Sequence, residues 1–198
     1  MKEHVTDNPV GIVSGSVDAD VVLSPVEQEH LTWLRDQRNR AELNRWFRQP
    51  WMLTTSDQEK WFHSLQNREK HCFIVTAAAG ESSRASQKVG YVALNQVNFI
   101  TRTAEFSIFI VPEFQAHGYG KKALEKLFAF AFDNLNMHLI WGEVYEGNPA
   151  LALYLKMGFR KEGVLRDRAF KEGRYWSSTI LSLTENEWRL QARHSSAR

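Results

Sequence analysis

The amino-acid sequence predicts an α+β fold, in which one mixed and mostly antiparallel twisted sheet is flanked by helices. The first observation is the order of the apolar segments: one strand, two or three helices, three strands, a helix, a strand, a helix and two strands. This order lacks the regular strand–helix alternation of a parallel sheet. The second is size, because 198 residues with 43% hydrophobic and 24% charged residues suit one globular domain. We expect that domain over residues 19–187, between polar tails at 1–18 and 188–198.

The first half of the chain predicts one strand followed by helices. Pro25 ends a short apolar run that reads as a strand. Leu31 and Leu34 then recur at helical spacing. Ser56 and Glu59 stand at the separation of a capping box, which predicts the start of a further helix. The predicted segments are a strand at 20–25, a helix at 27–38, a short helix followed by a loop within 39–53, and a helix at 58–67.

The second half predicts most of the sheet. One long helix is indicated by Leu124, Leu127 and Phe128, which share a face at helical spacing. A second, shorter helix begins with Pro149 in its first turn and ends at Gly158, which suits a C-cap. The predicted strands are 71–78, 89–96, 104–111, 139–145, 159–165 and 175–183, and the predicted helices are 121–135 and 149–157.

Composition excludes several classes of partner. The chain has 25 basic and 23 acidic residues, and a net charge of +2 does not indicate a nucleic-acid or membrane partner. Cys72 is the single cysteine, so no internal disulfide is expected, and no metal site is predicted. The first residues are too polar for a signal peptide, and the sequence is expected to be that of a cytoplasmic protein.

A glycine-containing loop opens the helix predicted at 121–135. It reads Gln115-Ala116-His117-Gly118-Tyr119-Gly120. Gly118 and Gly120 have no Cβ, so backbone can approach a ligand closely. The free N–H groups and the positive dipole end of the following helix favour an anion, to which Lys121 adds charge. By itself the loop predicts a pyrophosphate site no better than an ordinary turn before a helix.

A second segment makes the pattern specific. It reads Asn148-x-x-Ala-x-x-Leu153-Tyr154-x-Lys156-x-Gly158-Phe159 and follows the loop after about thirty residues. The two segments in this order resemble the GNAT superfamily of N-acetyltransferases, whose pyrophosphate loop reads Gln/Arg-x-x-Gly-x-Gly/Ala. The resemblance spans roughly residues 20–185 and is most specific over 104–165.

The resemblance implies acetyl-CoA as co-substrate, no metal, and a sheet in which one strand splays away from its neighbour. That strand would offer backbone groups of Phe109, Ile110 and Val111 to the pantetheine arm. Asn148 would contact the pantetheine, and Tyr154 would protonate the departing thiolate. The residues expected around the pyrophosphate are Gln115, Ala116, His117, Gly118, Tyr119, Gly120 and Lys121.

The chemistry of direct acetyl transfer requires an amine that has lost a proton. Glu105 lies in an otherwise apolar strand, and Glu143 lies in the strand just before Asn148. Strand alternation places Glu143 on one face with Leu139, Trp141 and Tyr145. Both carboxylates are therefore candidates for the general base, directly or through water. Each is equally compatible with a structural ion pair, and the sequence does not rank them.

The acceptor is expected to be a small-molecule amine. Arg38, Asn39, Trp46 and Trp61 are similar to residues of amino-sugar N-acetyltransferases that act on nucleotide-linked 4-amino sugars. The guanidinium groups of Arg38, Arg45 and Arg48 suit a diphosphate, and indole rings suit a sugar or base. The leading expectation is therefore an amino sugar or nucleotide sugar bound by Arg38, Asn39, Trp46 and Trp61.

Alternative acceptors come from a second resemblance. The stretches Ala104-Glu105-Phe106-Ser107-Ile108 and Val111-Pro112-Glu113-Phe114-Gln115 are similar to polyamine and ribosomal-protein N-terminal acetyltransferases. The arginine-rich helical region weighs against a polycation. An aminoacyl-tRNA acetylase and a non-catalytic acyl-CoA sensor are further alternatives, and the sequence leaves a homodimer open.

Overall fold

A seven-stranded sheet forms the centre of the protein, as seen in a computed structural model that describes residues 20–67, 69–77 and 87–196. Every strand predicted from the sequence is present, and the last two form a longer hairpin than expected. The strands are β1 (Val21–Pro25), β2 (His71–Ala77), β3 (Gln87–Asn98), β4 (Thr103–Ile110), β5 (Leu139–Tyr145), β6 (Arg160–Lys171) and β7 (Arg174–Thr184).

The strand order is β1-β2-β3-β4-β5-β7-β6. Neighbouring strands are antiparallel except for β4 and β5, which run parallel. The predicted mixed, mostly antiparallel sheet is therefore confirmed. The single parallel pair lies in the middle of the sheet, where it separates the β1–β4 half from the β5–β7 half.

Helices cover both faces of this sheet. The capping box of α3 is made by Thr54 and Asp57, whose side chains each bind the other's backbone N–H, and not by Ser56 and Glu59. The helix therefore begins three residues earlier than predicted. The helices are α1 (Leu31–Asn39), α2 (Ala41–Asn44), α3 (Thr55–His63), α4 (Tyr119–Ala129), α5 (Ala150–Lys156) and α6 (Glu185–Ser196).

Two apolar clusters fix these helices to the sheet. On one face, α4 places Leu124 and Phe128 against Phe106 of β4, and Trp188 of α6 packs on Phe128. On the other face, Leu34 of α1 packs in a second cluster that includes Phe109. Burial of such side chains is the main contribution to the stability of the fold. Cys72 is buried in the second cluster, as expected.

The parallel strands β4 and β5 separate after a short stretch of pairing. Their last paired residues are Glu105 and Trp141, after which β4 continues to Ile110 and β5 to Tyr145 without further pairing to each other. Gly142 lies at the start of the gap, where a Cβ would overlap the ring of Phe106. The splayed strand implied by the resemblance is therefore present, and an aromatic ring underlies the point of separation.

The end of the domain differs from the sequence-based expectation. Residues 188–198 were expected in a polar tail, yet α6 continues through Ser196. The helix is held by Trp188, which stacks on Phe132, and by Arg189, which bonds to Glu185 over 2.9 Å. The sequence did not indicate this helix because the segment contains few apolar residues. The tail expected at 1–18 lies outside the described residues.

No helix in the described part of the chain combines the length and the apolar character that a bilayer crossing requires. The longest described helix, α6, carries charged residues along its length.

Candidate functional site

The loop that follows β4 has the backbone shape of an anion site. Ala116 and Gly118 both have left-handed backbone, with φ of 63° and 86°, so the chain turns sharply into α4. The Gln115 side-chain amide donates to the carbonyl of Ile110 over 2.8 Å and ties the loop to the strand. His117 Nδ1 lies 2.6 Å from the Gln115 carbonyl oxygen. The loop is therefore pre-formed, and its shape depends on contacts within a few residues.

The first turn of α4 supplies the charge that such a site needs. Gly118 is the N-cap, and no side chain bonds to the N–H groups of the first turn at that cap. Their positive dipole end suits phosphate oxygens. Lys121 is exposed and pairs with Glu125 at 3.5 Å, a contact of one helical turn that a stronger anion can replace. Gly120 packs near Ile110, which brings the helix start against the end of the splayed strand.

The backbone of the splayed strand is partly committed within the protein. The N–H of Val111 donates to the Val89 carbonyl over 2.9 Å, and the carbonyl of Ile110 accepts from Gln115. Because these two groups are already bonded within the protein, they are not available to pantetheine. Fewer backbone groups at residues 109–111 therefore remain for the expected contact. The Phe109 side chain is buried against Trp33 and Phe47 on the α1 side of the sheet.

The segment 148–159 brings the expected acid beside this strand. Asn148 accepts from the Ala150 N–H over 3.0 Å, so its side chain caps α5 and keeps its amide N–H₂ for another partner. Tyr154 is 6% exposed and packs edge-on against Phe106, with ring centroids 5.0 Å apart. Burial raises the pKa of the Tyr154 phenol well above its ordinary value of 10.0, so the phenol stays protonated. We call the loop Gln115–Gly120, Asn148 and Tyr154 the donor side.

A cluster of ion pairs occupies the opposite face of the sheet, where β4 and β5 separate. Glu105 and Glu143 have side chains that are 8% and 4% exposed, and the Arg48 guanidinium lies between them. Arg48 donates to both carboxylates, with Nε 3.0 Å from Glu143 Oε2 and Nη1 3.3 Å from Glu105 Oε2. Arg168 of β6 adds a second guanidinium, with Nε 2.9 Å from Glu143 Oε1. We call Arg48, Glu105, Glu143 and Arg168 the carboxylate cluster.

Neutral hydrogen-bond donors complete the carboxylate cluster. The Ser178 hydroxyl donates to Glu143 over 2.7 Å, and the Gln96 amide donates to Glu105 over 3.0 Å. Burial opposes the charge on Glu143, but the bond from Ser178 and the guanidinium groups of Arg48 and Arg168 outweigh it and lower the pKa of the carboxyl. Glu143 is therefore a stable anion and a weak base, which favours it as an anchor for a cation.

The four predicted acceptor residues are engaged in packing or hydrogen bonds within the protein. The Arg38 guanidinium lies 5.1 Å from the Phe47 ring centroid, and burial lowers its pKa. Asn39 bonds to both backbone groups of Leu53, at 2.9 and 2.7 Å. These contacts fix the segment 45–54, which we call the acceptor loop. Trp46 packs edge-on against Trp176, and Trp61 against Tyr91.

Two members of the carboxylate cluster were missed or misread in the sequence. Arg48 was considered only as a phosphate ligand, and Arg168 was not considered. Neither has a local signature, because Arg48 is 57 residues from Glu105 and 95 from Glu143 along the chain. The one available signal was strand alternation, which places Glu143 on the same face as Trp141 and Tyr145. In the structure this face is opposite the one on which Gly142 approaches Phe106.

Comparison with known proteins identifies similar sequences over most of the chain. A family model described as an acetyltransferase (GNAT) domain matches residues 20–160. A spermidine N(1)-acetyltransferase of Vibrio cholerae is 29% identical over 161 residues, which are 80% of this chain and 90% of the relative. The spermidine N(1)-acetyltransferase of Escherichia coli K12 is 27% identical over 170 residues, 85% of this chain and 88% of the relative.

Solved structures agree with these sequence matches. The fold is similar to the crystal structure of spermidine N-acetyltransferase from Vibrio cholerae in complex with CoA and spermine. The TM-score is 0.78 at 26% identity, and the match covers 85% of this chain and 98% of that chain. The similarity therefore includes both halves of the sheet, on either side of the splayed strands.

Proposed function

This chain belongs to the GNAT acetyltransferase family and is an acetyl-CoA-dependent N-acetyltransferase, and from that premise we propose that its acceptor is an aliphatic polyamine of the spermidine type. Such a molecule carries the primary amine that is acetylated and at least one further ammonium. The relatives named for spermidine support this acceptor over the amino sugar that the sequence had favoured.

The observation that carries the proposal is the pair of buried carboxylates at the point of strand separation. Glu105 and Glu143 come from the two strands that diverge, and both pair with Arg48 of the acceptor loop. Buried carboxylates are costly unless a cation is close by. A site with two of them selects a cationic ligand and disfavours a diphosphate, which would place like charges together.

The arginines that were expected to bind a diphosphate are engaged elsewhere. Arg45 pairs with Glu172 at 3.1 Å and lies over the Trp46 ring, while Arg48 binds the two buried carboxylates. Arg38 bonds to Gln49 over 3.1 Å. The charges of Arg45 and Arg48 are thus matched within the protein, and Arg38 is engaged by neutral partners, so the arginine-rich region opposes a polycation less than the sequence suggested.

The reaction follows from the two faces of the splayed strands. The acceptor's uncharged nitrogen attacks the thioester carbonyl carbon, a C–N bond forms, and the carbonyl oxygen becomes an oxyanion in a tetrahedral intermediate. As the carbonyl reforms, the C–S bond breaks and the CoA thiolate leaves. Tyr154 gives its proton to that thiolate, and Glu105 accepts, through water, the proton that the amine loses. Glu143 anchors a second ammonium of the acceptor.

A panel of amines tests this acceptor. Free thiol release from acetyl-CoA is measured with spermidine, spermine, a nucleotide-linked 4-amino sugar and a peptide with a free N-terminus. We expect kcat/KM for the polyamines to exceed that for the other amines by about a hundredfold, because a polyamine brings a second ammonium to the buried carboxylates and the sugar nucleotide does not. A higher kcat/KM for the sugar nucleotide or the peptide would contradict the proposal.

Carboxamide variants assign the anchoring role. We expect Glu143→Gln to raise the KM for spermidine about tenfold while the KM for acetyl-CoA is unchanged, because one charge-assisted bond to the ligand is lost. Glu113→Gln is the matched control, since Glu113 pairs with Arg40 at 2.8 Å on the α2 side and touches neither buried carboxylate. An equal effect of both substitutions would remove Glu143 from the acceptor site.

A further inference from the structure

The position of Arg48 is the least expected feature of the carboxylate cluster. Its guanidinium donates to Glu105 and to Glu143, yet the side chain is 45% exposed while the two carboxylates are almost fully buried. The side chain therefore enters the site from the solvent side. A cation that approached the separated strands from solvent would meet the same two carboxylates along the same path.

The attachment of Arg48 allows its side chain to leave while its backbone stays. Arg48 belongs to the irregular acceptor loop, not to a helix or strand. The loop backbone is held next to it by Lys171, whose ammonium bonds to the carbonyl of Phe47. The Asn39–Leu53 pair holds the far end of the loop. Among the residues that the structure describes, the hydrogen bonds that rotation of the Arg48 side chain would break are those to the two carboxylates.

The charges of the carboxylate cluster define which kind of group could replace the Arg48 guanidinium. Two carboxylates face two guanidinium groups, from Arg48 and Arg168, so the cluster is neutral as it stands. Withdrawal of Arg48 leaves one negative charge unmatched, while Arg168 keeps its bond to Glu143. One incoming ammonium restores neutrality. A buried cluster of this kind therefore exchanges one cation for one cation.

We propose that Arg48 is an internal occupant of the acceptor's ammonium subsite, between Glu105 and Glu143, and that a cationic acceptor binds by displacing it. This inference rests on the proposed function, since it assigns a subsite for the polyamine. The displaced guanidinium moves into solvent, and the acceptor's second ammonium takes its place against Glu143, which leaves Glu105 to accept the proton of the reacting amine. Arg48 thereby keeps the carboxylates paired in the absence of substrate and competes with every cationic acceptor for the same place.

Competition of this kind has a direct kinetic signature. The apparent affinity for the acceptor is reduced by the fraction of molecules in which Arg48 is withdrawn. We expect Arg48→Ala to lower the KM for spermidine about tenfold, which corresponds to a withdrawn fraction of about one in ten in the unsubstituted protein. The KM for acetyl-CoA is unchanged, because Arg48 lies on the acceptor face.

Added guanidinium ion distinguishes displacement of Arg48 by the acceptor from a purely structural role of Arg48. In Arg48→Ala, guanidinium chloride below denaturing concentrations refills the vacated position, so it is a competitive inhibitor against spermidine. In the unsubstituted protein the position is already filled, and the same salt has a much smaller effect. Arg45→Ala is the matched control, because Arg45 lies in the same loop but pairs with Glu172. That variant keeps the unsubstituted KM and gains no sensitivity to guanidinium.

A measurement on the unsubstituted protein guards against a variant that fails to fold. The Nε–H groups of Arg48 and Arg168 lie 3.0 and 2.9 Å from opposite oxygens of Glu143, so each gives a protected guanidinium signal in nitrogen-15 NMR. Saturation with spermidine is expected to abolish protection of the Arg48 signal and to leave the Arg168 signal. Arg48→Lys keeps the positive charge but lacks the paired N–H groups of a guanidinium. It is expected to give a spermidine KM between those of the parent and Arg48→Ala.

The outcomes distinguish this inference from the function on which it rests. An unchanged or raised spermidine KM in Arg48→Ala, with no competition by guanidinium, overturns the displacement while spermidine acetylation stands. Retention of the protected Arg48 signal at saturating spermidine overturns it as well. If neither the parent nor any variant binds or acetylates a polyamine, both the proposed acceptor and the subsite are wrong.

Discussion

The donor side and the carboxylate cluster lie on the two faces of the same splayed strands, yet they are built by different means. The donor side consists of backbone shape: the left-handed turns at Ala116 and Gly118 and the Asn148 cap all depend on neighbours within five residues. The carboxylate cluster consists of side-chain charge gathered from distant parts of the chain. Under the proposed roles of the two sites, acetyl-CoA recognition depends on local sequence, whereas acceptor recognition depends on tertiary structure.

The largest expected effect concerns the proton that the donor side supplies. We expect Tyr154→Phe to lower kcat about a hundredfold with an almost unchanged affinity for acetyl-CoA, because the departing thiolate loses its proton donor. The phenyl ring keeps its packing against Phe106. Thiol release at saturating substrates and calorimetric binding of acetyl-CoA measure the two quantities. An unchanged kcat would remove Tyr154 from the acid role.

The control for this substitution and its dependence on pH sharpen the assignment. Tyr175→Phe alters a tyrosine that is 61% exposed on β7, and it should leave kcat unaltered. Because burial raises the pKa of the Tyr154 phenol, the acid form is retained above the ordinary value of 10.0. The kcat of the parent therefore does not fall as the pH rises toward that value, provided that the protein remains folded. If the kcat of the parent declined as the pH approached 10.0 while the kcat of Tyr154→Phe did not, the raised pKa of Tyr154 would be contradicted.

The second-largest expected effect tests whether the backbone shape of the donor side serves acetyl-CoA independently of the charges that serve the acceptor. Gly118→Val places a β-branched residue at φ 86°, a strain of about 1–3 kcal/mol, and distorts the start of α4. We expect the KM for acetyl-CoA to rise about tenfold while the KM for spermidine changes little. Gly163→Val is the control, because a Cβ at Gly163 meets open space on β6. If both KM values rose equally, the two faces would not be independent.

The smallest effect is a difference in acid stability that arises in the carboxylate cluster. The pKa of Glu143 is lowered from its ordinary value of 4.5, so its ionisation stabilises the fold above that value, and this contribution is lost as the pH falls below it. Glu143→Gln should therefore lower Tm at neutral pH, and the difference from the parent should shrink between about pH 5 and 3. Thermal unfolding followed by circular dichroism measures it.

The control for this measurement is Glu29→Gln, whose parent side chain is 82% exposed. It should alter Tm little at any pH, because an exposed carboxylate has almost the same environment in the folded and unfolded chain. A difference between Glu143→Gln and the parent that stays constant down to pH 3 would mean that Glu143 titrates in the folded protein as it does in the unfolded chain.

The elements that sequence reasoning predicted best are those whose signals are short-range. The order of strands and helices along the chain, the amphipathic face of α4 and the loop at Gln115–Gly120 all follow from periodicity and glycine placement within a dozen residues. The start of α3 was misassigned because Thr54, Thr55, Ser56 and Asp57 all suit a helix N-terminus, and the pairing of Thr54 with Asp57 decides between them. The roles of the individual donor-side residues stay predictions.

Sequence reasoning was weakest where a side chain acts through distant partners. Arg48 resembles any surface arginine until β4 and β5 bring two carboxylates beneath it. The same limit applies to α6, whose few apolar residues include Trp188, which becomes informative only when Phe128 and Phe132 lie beside it. The amino-sugar interpretation is less well supported than the polyamine alternative for this reason, since it counted arginines as free cations without knowing which anions they meet.

The acceptor loop has a consequence for how this protein could acquire new substrates. It is joined to the sheet by a handful of side-chain bonds, from Asn39, Arg48 and Lys171, and its Trp51 and Met52 are more than half exposed. The apolar core beneath Tyr154 does not include it. Sequence variation at the exposed Trp51 and Met52 therefore touches neither Tyr154 nor Glu105, and these positions are suited to directed evolution of amine selectivity.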